Sequence, residues 1–260
     1  MIERREIVLG GLLTIMWTAT GCCQALAEDE GEPVSCVLDD DEATIAFARS
    51  TPAQTFGSED EKLLTSSGDK DLDFALARTL ARLSKTFGVL PGFAYLDGPK
   101  SDNAWATPKP MLKRSDGTVL FGRRYLHSKL KAREAPDAVV AATCAHEYGH
   151  ILQFKRSLKK TVFAREPNSR RLELHADFLA GYFAGVSKLR DKDFPAAVFA
   201  ASRHAAGDHN FKSKTHHGTP EERAGATIKG FEVAYQEKKP IGEALPIGIK
   251  YVMSLKKSPT

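Results

Sequence analysis

The sequence predicts an α+β fold that is mainly helical, with a small sheet packed on one long helix. Three observations predict it. Helix signals, either apolar spacing or capping residues, occur in four stretches of the chain. Three short runs bounded by turn residues lie between the first two stretches, as strands do. The 260 residues suit one ordinary domain with extensions, and a 42% hydrophobic content is typical of globular proteins.

Residues 1–27 have the anatomy of an export signal. Arg4 and Arg5 precede an apolar run at 7–17 that is short for a membrane span and gives way to an acidic stretch. Residues 3–8 also resemble a twin-arginine export motif, although an ordinary basic start explains them equally well. We therefore expect an exported protein of the periplasm or cell envelope of a bacterium.

Two processing sites compete within this signal. Residues 25–27, Ala-Leu-Ala, fit a signal peptidase site, whereas 19–22, Ala-Thr-Gly-Cys, resemble a lipobox that would leave a lipidated Cys22 as a membrane anchor. Cys36 and Cys144 remain in the mature chain. Either they form a disulfide, which an oxidising compartment permits, or Cys144 serves as a small buried residue.

Residues 28–68 are predicted to be an acidic leader. Residues 28–42 hold eight acidic and no basic side chains, although the whole chain has a formal charge of +4. The basic residues of 155–171 are scattered with a single aromatic residue, Phe163, among them, which is typical of a solvated loop and not of a nucleic-acid surface. We expect no nucleic-acid partner.

The predicted domain, 69–236, begins with an amphipathic helix and a group of strands. Leucines and a phenylalanine recur every three or four residues over 71–87, which predicts the helix. Strand candidates follow at 93–96, 103–107 and 118–121, each next to turn-forming residues. A small sheet is therefore expected in the first half of the domain.

Helices dominate the second half. Pro136 suits a first helical turn, and an apolar, alanine-rich pattern runs from there to about residue 154. A second helix is predicted over 171–186, and a third begins at Thr219 with a capping-box pattern. Residues 237–260 have Gly242, Pro246 and Gly248 near apolar residues and are predicted to be a C-terminal tail without an assigned function.

The helix at 136–154 carries a pattern that suits metal-assisted hydrolysis. His146 and His150 are four residues apart, so both side chains leave one face of the helix and can bind one metal ion. Glu147, one step around the helix, can reach a water on that metal. The helix is otherwise largely apolar, and charged side chains buried there need a purpose.

A catalytic zinc ion usually has three protein ligands, so one more is needed. Glu173 on the next helix is the candidate, and Asp177, on the same face, can accept a hydrogen bond from the far nitrogen of a ligand histidine. His175 competes with Glu173 but points to another face. Ala176 and Gly149 are among the small residues that would let the two helices approach closely.

Residues 145–153 and 172–181 resemble the neutral zinc metallopeptidases of bacteria, within the wider HtpX-like gluzincin peptidases, which share H-E-x-x-H followed by E-x-x-x-D. The similarity extends to 207–208 and to the His-Gly segment at 217–223 with its arginine. The chain departs from the family where His175 and Phe178 replace a glutamine and a cysteine.

The resemblance implies a gluzincin-type zinc metallopeptidase domain. It places Zn²⁺ on His146, His150 and Glu173, with Glu147 as general base and Asp177 behind the ligands. It assigns His217 to stabilise the oxyanion, with the neighbouring His216 as an alternative. The substrate would be a peptide or protein.

The stretch Asn103-Ala104-Trp105-Ala106 resembles the edge strand beside the cleft of HtpX-like enzymes, which pairs with an extended substrate. Two other functions stay open from the residues alone. One is a zinc-containing binding or assembly module of the cell envelope without catalysis. The other is hydrolysis of cell-wall peptide cross-links.

Overall fold

The computed structural model describes residues 62–164 and 167–256. This part of the chain is mainly helical with one small mixed sheet, which confirms the predicted α+β class. The strands are β1 (Lys62–Leu64), β2 (Gly92–Asp97), β3 (Ala104–Thr107) and β4 (Thr118–Gly122). The helices are α1 (Lys70–Phe87), α2 (Arg123–Leu130), α3 (Pro136–Lys155), α4 (Leu158–Thr161), α5 (Arg170–Arg190), α6 (Ala197–Ala205), α7 (Pro220–Tyr235) and α8 (Ile241–Ser254).

The sheet has the strand order β1-β2-β4-β3, and the three strand candidates form β2, β3 and β4. β2 and β4 are parallel, whereas β1 and β3 pair antiparallel with their neighbours. Along β4, Val119 and Phe121 enter the main core while Leu120 packs on the opposite face of the sheet. β3 also contacts α3 and forms an edge of the sheet.

Helix α1 begins one residue before the range predicted for it, 71–87, and ends at the predicted residue. The Asp69 side chain accepts hydrogen bonds from the first backbone N–H groups, and Gly88, with φ of 64°, ends the helix in the left-handed conformation. Leu76, Leu83 and Phe87 are buried on one face. This face anchors α1 on the core, beside α3.

Helices α3 and α5 are the centre of the molecule, and almost every side chain from Val140 to Gln153 is buried. The small residues predicted at their contact lie there. A Cβ atom added at Gly149 would be 3.2 Å from the Cα of Ala176. Because this glycine lets the two backbones come close, polar side chains from both helices can meet between them.

Helix α7 starts with the predicted capping box between Thr219 and Glu222, and it crosses α5 in backbone contact. A Cβ atom at Gly181 would lie 1.8 Å from the carbonyl oxygen of Thr227. A Cβ atom at Gly230 would lie 1.8 Å from the carbonyl oxygen of Phe178. One glycine on each helix therefore sets the separation of the pair.

Elements outside 69–236 pack on elements within that range. Residues 237–260, predicted to be a tail, contain α8, which packs on α5 and α7. Its Gly248 lies against the ring of Phe178, where a Cβ atom would be 2.5 Å from a ring carbon. At the other end, β1 lies within the predicted leader and pairs with β2.

The predicted export signal, Cys22 and Cys36 fall outside the described residues. Cys144 is a fully buried free thiol on α3, so it occupies the small buried position that was one of its two expected roles. Over 62–164 and 167–256, no helix is both long and apolar enough to cross a membrane.

Candidate metal site

Three side chains predicted to bind metal meet between α3 and α5. His146 and His150 lie one turn apart on α3, Glu173 lies in the first turn of α5, and all three are completely buried. One ligand atom from each residue lies within 4.8 Å of the others. Nε2 of His146 is 3.1 Å from Oε2 of Glu173 and 3.1 Å from Nε2 of His150.

This group could hold a metal ion. Two imidazole nitrogens and one carboxylate oxygen lie close together, and such a mixed donor set suits a divalent transition metal. The second oxygen of Glu173, Oε1, is buried and has no hydrogen-bond partner among the described residues. A buried carboxylate oxygen without a partner is costly, and a bound cation removes that cost.

His146 is held from behind by a charged network. Its Nδ1 lies 2.7 Å from Oδ1 of Asp177, and Arg223 on α7 donates to both oxygens of Asp177 at 2.7 and 3.0 Å. The hydrogen bond to Asp177 places the proton of His146 on Nδ1 and leaves Nε2 free to bind metal. Asp177 thus lies where the sequence predicted, behind the ligands.

The charge of Asp177 is fixed by the same neighbours. Burial alone would raise the pKa of Asp177, but the charges of Arg223 and His146 and their hydrogen bonds outweigh burial and hold it at about 2. Asp177 is therefore ionised at every physiological pH, and it keeps the tautomer of His146 constant.

His150 is hydrogen-bonded to an uncharged side chain, that of Gln153. Its Nδ1 lies 2.8 Å from Oε1 of Gln153, and the Gln153 amide donates to the carbonyl oxygen of Leu172 at 2.8 Å. Gln153 thereby links α3 to the start of α5. His175, the competing ligand, lies on the far side of this amide with its Nδ1 3.1 Å from Nε2 of Gln153, outside the metal-binding group.

Glu147 differs from the other polar residues of the site. It is 1% exposed, and its Oε2 has no hydrogen-bond partner among the described residues. Burial raises the pKa of its carboxyl to about 8 against the opposing effect of His150, and the negative charge of Glu173 adds to the rise. A buried carboxyl with a pKa near neutrality and a free oxygen is suited to exchange protons.

The two downstream histidines share one carboxylate. Nδ1 of His216 lies 2.5 Å from one oxygen of Asp208, and the backbone N–H of His217 donates to the other at 2.9 Å. The ring of His216 is completely buried, whereas the ring of His217 is 12% exposed. Burial alone would raise the pKa of Glu173, but the charge of His150 and the hydrogen bonds with His146 and His150 outweigh burial and hold it well below its usual value.

Sequence reasoning missed Gln153 and the partner of Arg223. Gln153 follows His150 by three residues, so its position on the same helical face was available from spacing. The pairing of Arg223 with Asp177 joins residues 46 positions apart, and no local pattern shows it.

No family model matches the chain, and no curated protein or solved structure matches it either. The function proposed below therefore rests on the geometry of the site and on the sequence motifs.

Proposed function

We propose that this protein is an exported zinc metallopeptidase of the gluzincin type, akin to the neutral zinc metallopeptidases and HtpX-like enzymes that its motifs resemble. The observation that supports the proposal most is Glu147. A buried carboxyl with a free oxygen, next to a His-His-Glu group, has no structural role that explains it.

Zinc fits the donor set better than magnesium or calcium, which prefer oxygen ligands. His146, His150 and Glu173 would hold it, and three protein ligands leave a position for water or substrate, as in catalytic zinc sites. The ion would polarise the peptide carbonyl and make a water molecule more acidic.

The protein's own residues supply the proton transfers. Glu147 accepts the proton of the attacking water and then donates it to the amine that leaves, so one carboxyl acts first as base and then as acid. His217 donates a hydrogen bond to the oxyanion of the tetrahedral intermediate. Its backbone is fixed by Asp208, which limits the reorganisation needed for that contact.

The substrate is proposed to be an extended peptide that pairs with β3. β3 is at the end of the strand order, so its outer backbone groups have no neighbouring strand in the described sheet. Such an edge accepts a peptide strand through backbone hydrogen bonds. Ala104 and Ala106 of β3 share the main core with α3, so a peptide paired with this edge would lie beside the helix of His146 and His150.

The central experiment separates metal binding from catalysis. In Glu147→Gln, zinc content measured by atomic absorption should equal that of the wild type, while peptide hydrolysis is lost. His146→Ala and Glu173→Ala should lose the metal as well. Glu134→Gln, a matched change at an exposed glutamate, should leave both properties unchanged. Wild-type hydrolysis in Glu147→Gln would refute the mechanism.

A digest of an unbiased peptide library, with and without chelator, tests the choice of reaction. Metal-dependent cleavage of linear peptides supports the proposal. Bound zinc without any cleavage points to a binding or assembly module, and cleavage restricted to cell-wall cross-links points to a wall hydrolase. Cleavage that chelator does not affect would exclude a metallopeptidase.

The mass of the exported protein tests its location. Processing after residue 27 predicts a soluble form, whereas processing before Cys22 predicts a lipidated form anchored to the membrane. A chain that keeps its complete N-terminus in the bacterial cell would contradict export through either site.

A further inference from the structure

Arg203 on α6 is a buried cation without a carboxylate partner. Its side chain is 3% exposed, and its Nη2 donates to the hydroxyls of Thr143 at 3.2 Å and Ser202 at 3.3 Å. Its Nε is buried and has no partner among the described residues, and no acidic oxygen of that part of the chain lies within 4.0 Å of it. Two hydroxyl groups, and no carboxylate of the described residues, therefore accept hydrogen bonds from the Arg203 guanidinium.

Two other buried arginines show the usual arrangement. Arg170 pairs with Glu222, and Arg223 pairs with Asp177 through two hydrogen bonds. A guanidinium group keeps its charge at any pH that proteins tolerate, and a buried charge is stable when it is paired. Arg203 is the exception among these three, because its hydrogen bonds to the described residues go to hydroxyl groups and not to a carboxylate.

The position of Arg203 connects it to the catalytic face of α3. Thr143, its hydrogen-bond partner, lies one helical turn before Glu147 and therefore on the same face of α3 as the catalytic carboxyl. His146 and His150 continue that face. α6 packs against α3, which carries the guanidinium to the N-terminal end of the site.

Glu147 is too far away to be the partner of Arg203. The two groups form no ion pair within 4.0 Å, and Oε2 of Glu147 and Nε of Arg203 both have no hydrogen-bond partner among the described residues. Through its hydrogen bond to Thr143, the guanidinium reaches α3 one turn before the catalytic carboxyl, and its Nε–H can donate to another acceptor.

We propose that Arg203 binds a carboxylate of the substrate close to the bond that is cleaved, so that the enzyme prefers peptides with a negative charge at that point. The inference rests on the proposed peptidase function and names its substrate class. Two sources supply this carboxylate: the C-terminus of a peptide, or the side chain of an aspartate or glutamate. A charge-assisted hydrogen bond from a buried guanidinium suits both.

Paired substrates distinguish these sources. Peptides found in the library digest are made with a free or an amidated C-terminus, and with Asp and Glu or Asn and Gln near the cleaved bond. The wild type should prefer one acidic form over its neutral counterpart by roughly 10- to 100-fold in kcat/KM, the size expected for a hydrogen bond to a charged group. Equal rates for both pairs would overturn the proposal.

The variants assign the preference to Arg203. In Arg203→Met the ratio of acidic to neutral substrate should fall close to one, and Arg203→Lys should restore part of it. Arg190→Met, which removes an exposed arginine at the end of α5, should keep the wild-type ratio. A preference that survives in Arg203→Met would show that another group binds the carboxylate.

A binding measurement separates this inference from the peptidase proposal. Calorimetry with the Glu147→Gln protein compares acidic and neutral peptides in the absence of turnover, and the comparison is repeated with Arg203→Met added. Loss of the acidic preference in the double variant supports the inference even if the wild type cleaves nothing. Equal binding of acidic and neutral peptides to Glu147→Gln would reject it.

Folding of the variant is checked by thermal unfolding without peptide. Replacing an unpaired buried charge with methionine should leave the melting temperature unchanged or raise it. A strong fall would mean that Arg203 serves the fold rather than a ligand, and it would overturn the proposal.

Discussion

Two carboxyl groups beside His146 are equally buried and have opposite surroundings. Both oxygens of Asp177 accept hydrogen bonds, from His146 and Arg223, and its pKa is held at about 2. Glu147 has a free oxygen and a pKa raised to about 8. Residues that hold the ligands are thus fully bonded, whereas the residue that would react is not, because a proton carrier must be able to change its bonds.

The largest expected effect on stability comes from replacing Asp177, the carboxyl group whose two oxygens both accept hydrogen bonds. Asp177→Asn removes the carboxylate charge that accepts two hydrogen bonds from the buried Arg223, and it should lower the free energy of unfolding of the metal-free protein by about 3–5 kcal/mol. Urea unfolding measures this. Asp102→Asn, at an exposed position, is the matched control and should unfold like the wild type.

Acid should have a related effect on the wild type. The pKa of Asp177 is lowered from 3.8 to about 2 by folding, so its contribution is present above pH 4 and is lost as the pH falls toward 2. That contribution is about 2 kcal/mol and should be absent in Asp177→Asn. Parallel acid unfolding curves for the two proteins would contradict the role given to Asp177.

Replacing Glu147, which has an oxygen without a hydrogen-bond partner among the described residues, should raise the free energy of unfolding instead of lowering it. Folding raises the pKa of Glu147 from 4.5 to about 8, so in chelated protein its contribution is present below pH 4.5 and is lost as the pH rises through 8. Glu147→Gln carries no charge and should be more stable than the wild type by several kcal/mol at pH 9.

The two proteins should differ little at pH 4, and thermal unfolding in chelator from pH 4 to 9 makes the comparison. Glu134→Gln should follow the wild type throughout. A Glu147→Gln protein less stable than the wild type at pH 9 would mean that Glu147 is bonded and not free.

Changing Gln153, the uncharged residue hydrogen-bonded to His150, should have a smaller effect than changing Asp177, the charged residue hydrogen-bonded to His146. Gln153→Leu removes the acceptor at Nδ1 of His150 and should lower metal affinity about 10- to 100-fold, as loss of a hydrogen bond behind a ligand does. Competition with a chromophoric chelator measures it. Gln236→Leu, a matched change at an exposed glutamine, should bind metal like the wild type. Wild-type metal affinity in Gln153→Leu would show that the amide of Gln153 does not support the site.

The smallest expected effect on stability comes from the N-terminal cap of α7, which lies outside the His-His-Glu group. Thr219→Ala breaks the capping box of α7 and should cost about 1 kcal/mol of stability. Thr219→Ser keeps the hydroxyl and should restore most of it. Metal affinity should be unchanged in both, and a loss of metal in Thr219→Ala would show that the start of α7 helps to position the site.

Local patterns in the sequence predicted the elements that carry the site, but not everything that packs around them. Periodicity and caps identified α1, α3 and α5, and turn residues bounded β2 to β4. α8 was missed because Pro246 and Gly248 argue against a helix, yet Pro246 lies inside it and Gly248 fits against Phe178. Such tolerance depends on neighbours that are distant in sequence.

The same distinction holds within the site. His146 and His150 follow from helical spacing, and Glu173 follows from the need of a metal ion for a third ligand together with its spacing of four residues from Asp177. Arg203 and Arg223 depend on where α6 and α7 cross α3 and α5, and that crossing is a tertiary property. The sequence identified the His-His-Glu group that could hold a metal ion, while the structure supplied the charges around it.

The crossing of α5 and α7 has a consequence for protein engineering. Replacing glycine with alanine inside a helix usually raises stability, because it restricts the unfolded chain. At Gly181 and Gly230 the added methyl group would meet a backbone oxygen of the opposite helix and push α7 outward. Arg223 would move with α7, so a routine thermostabilising substitution here is expected to release metal.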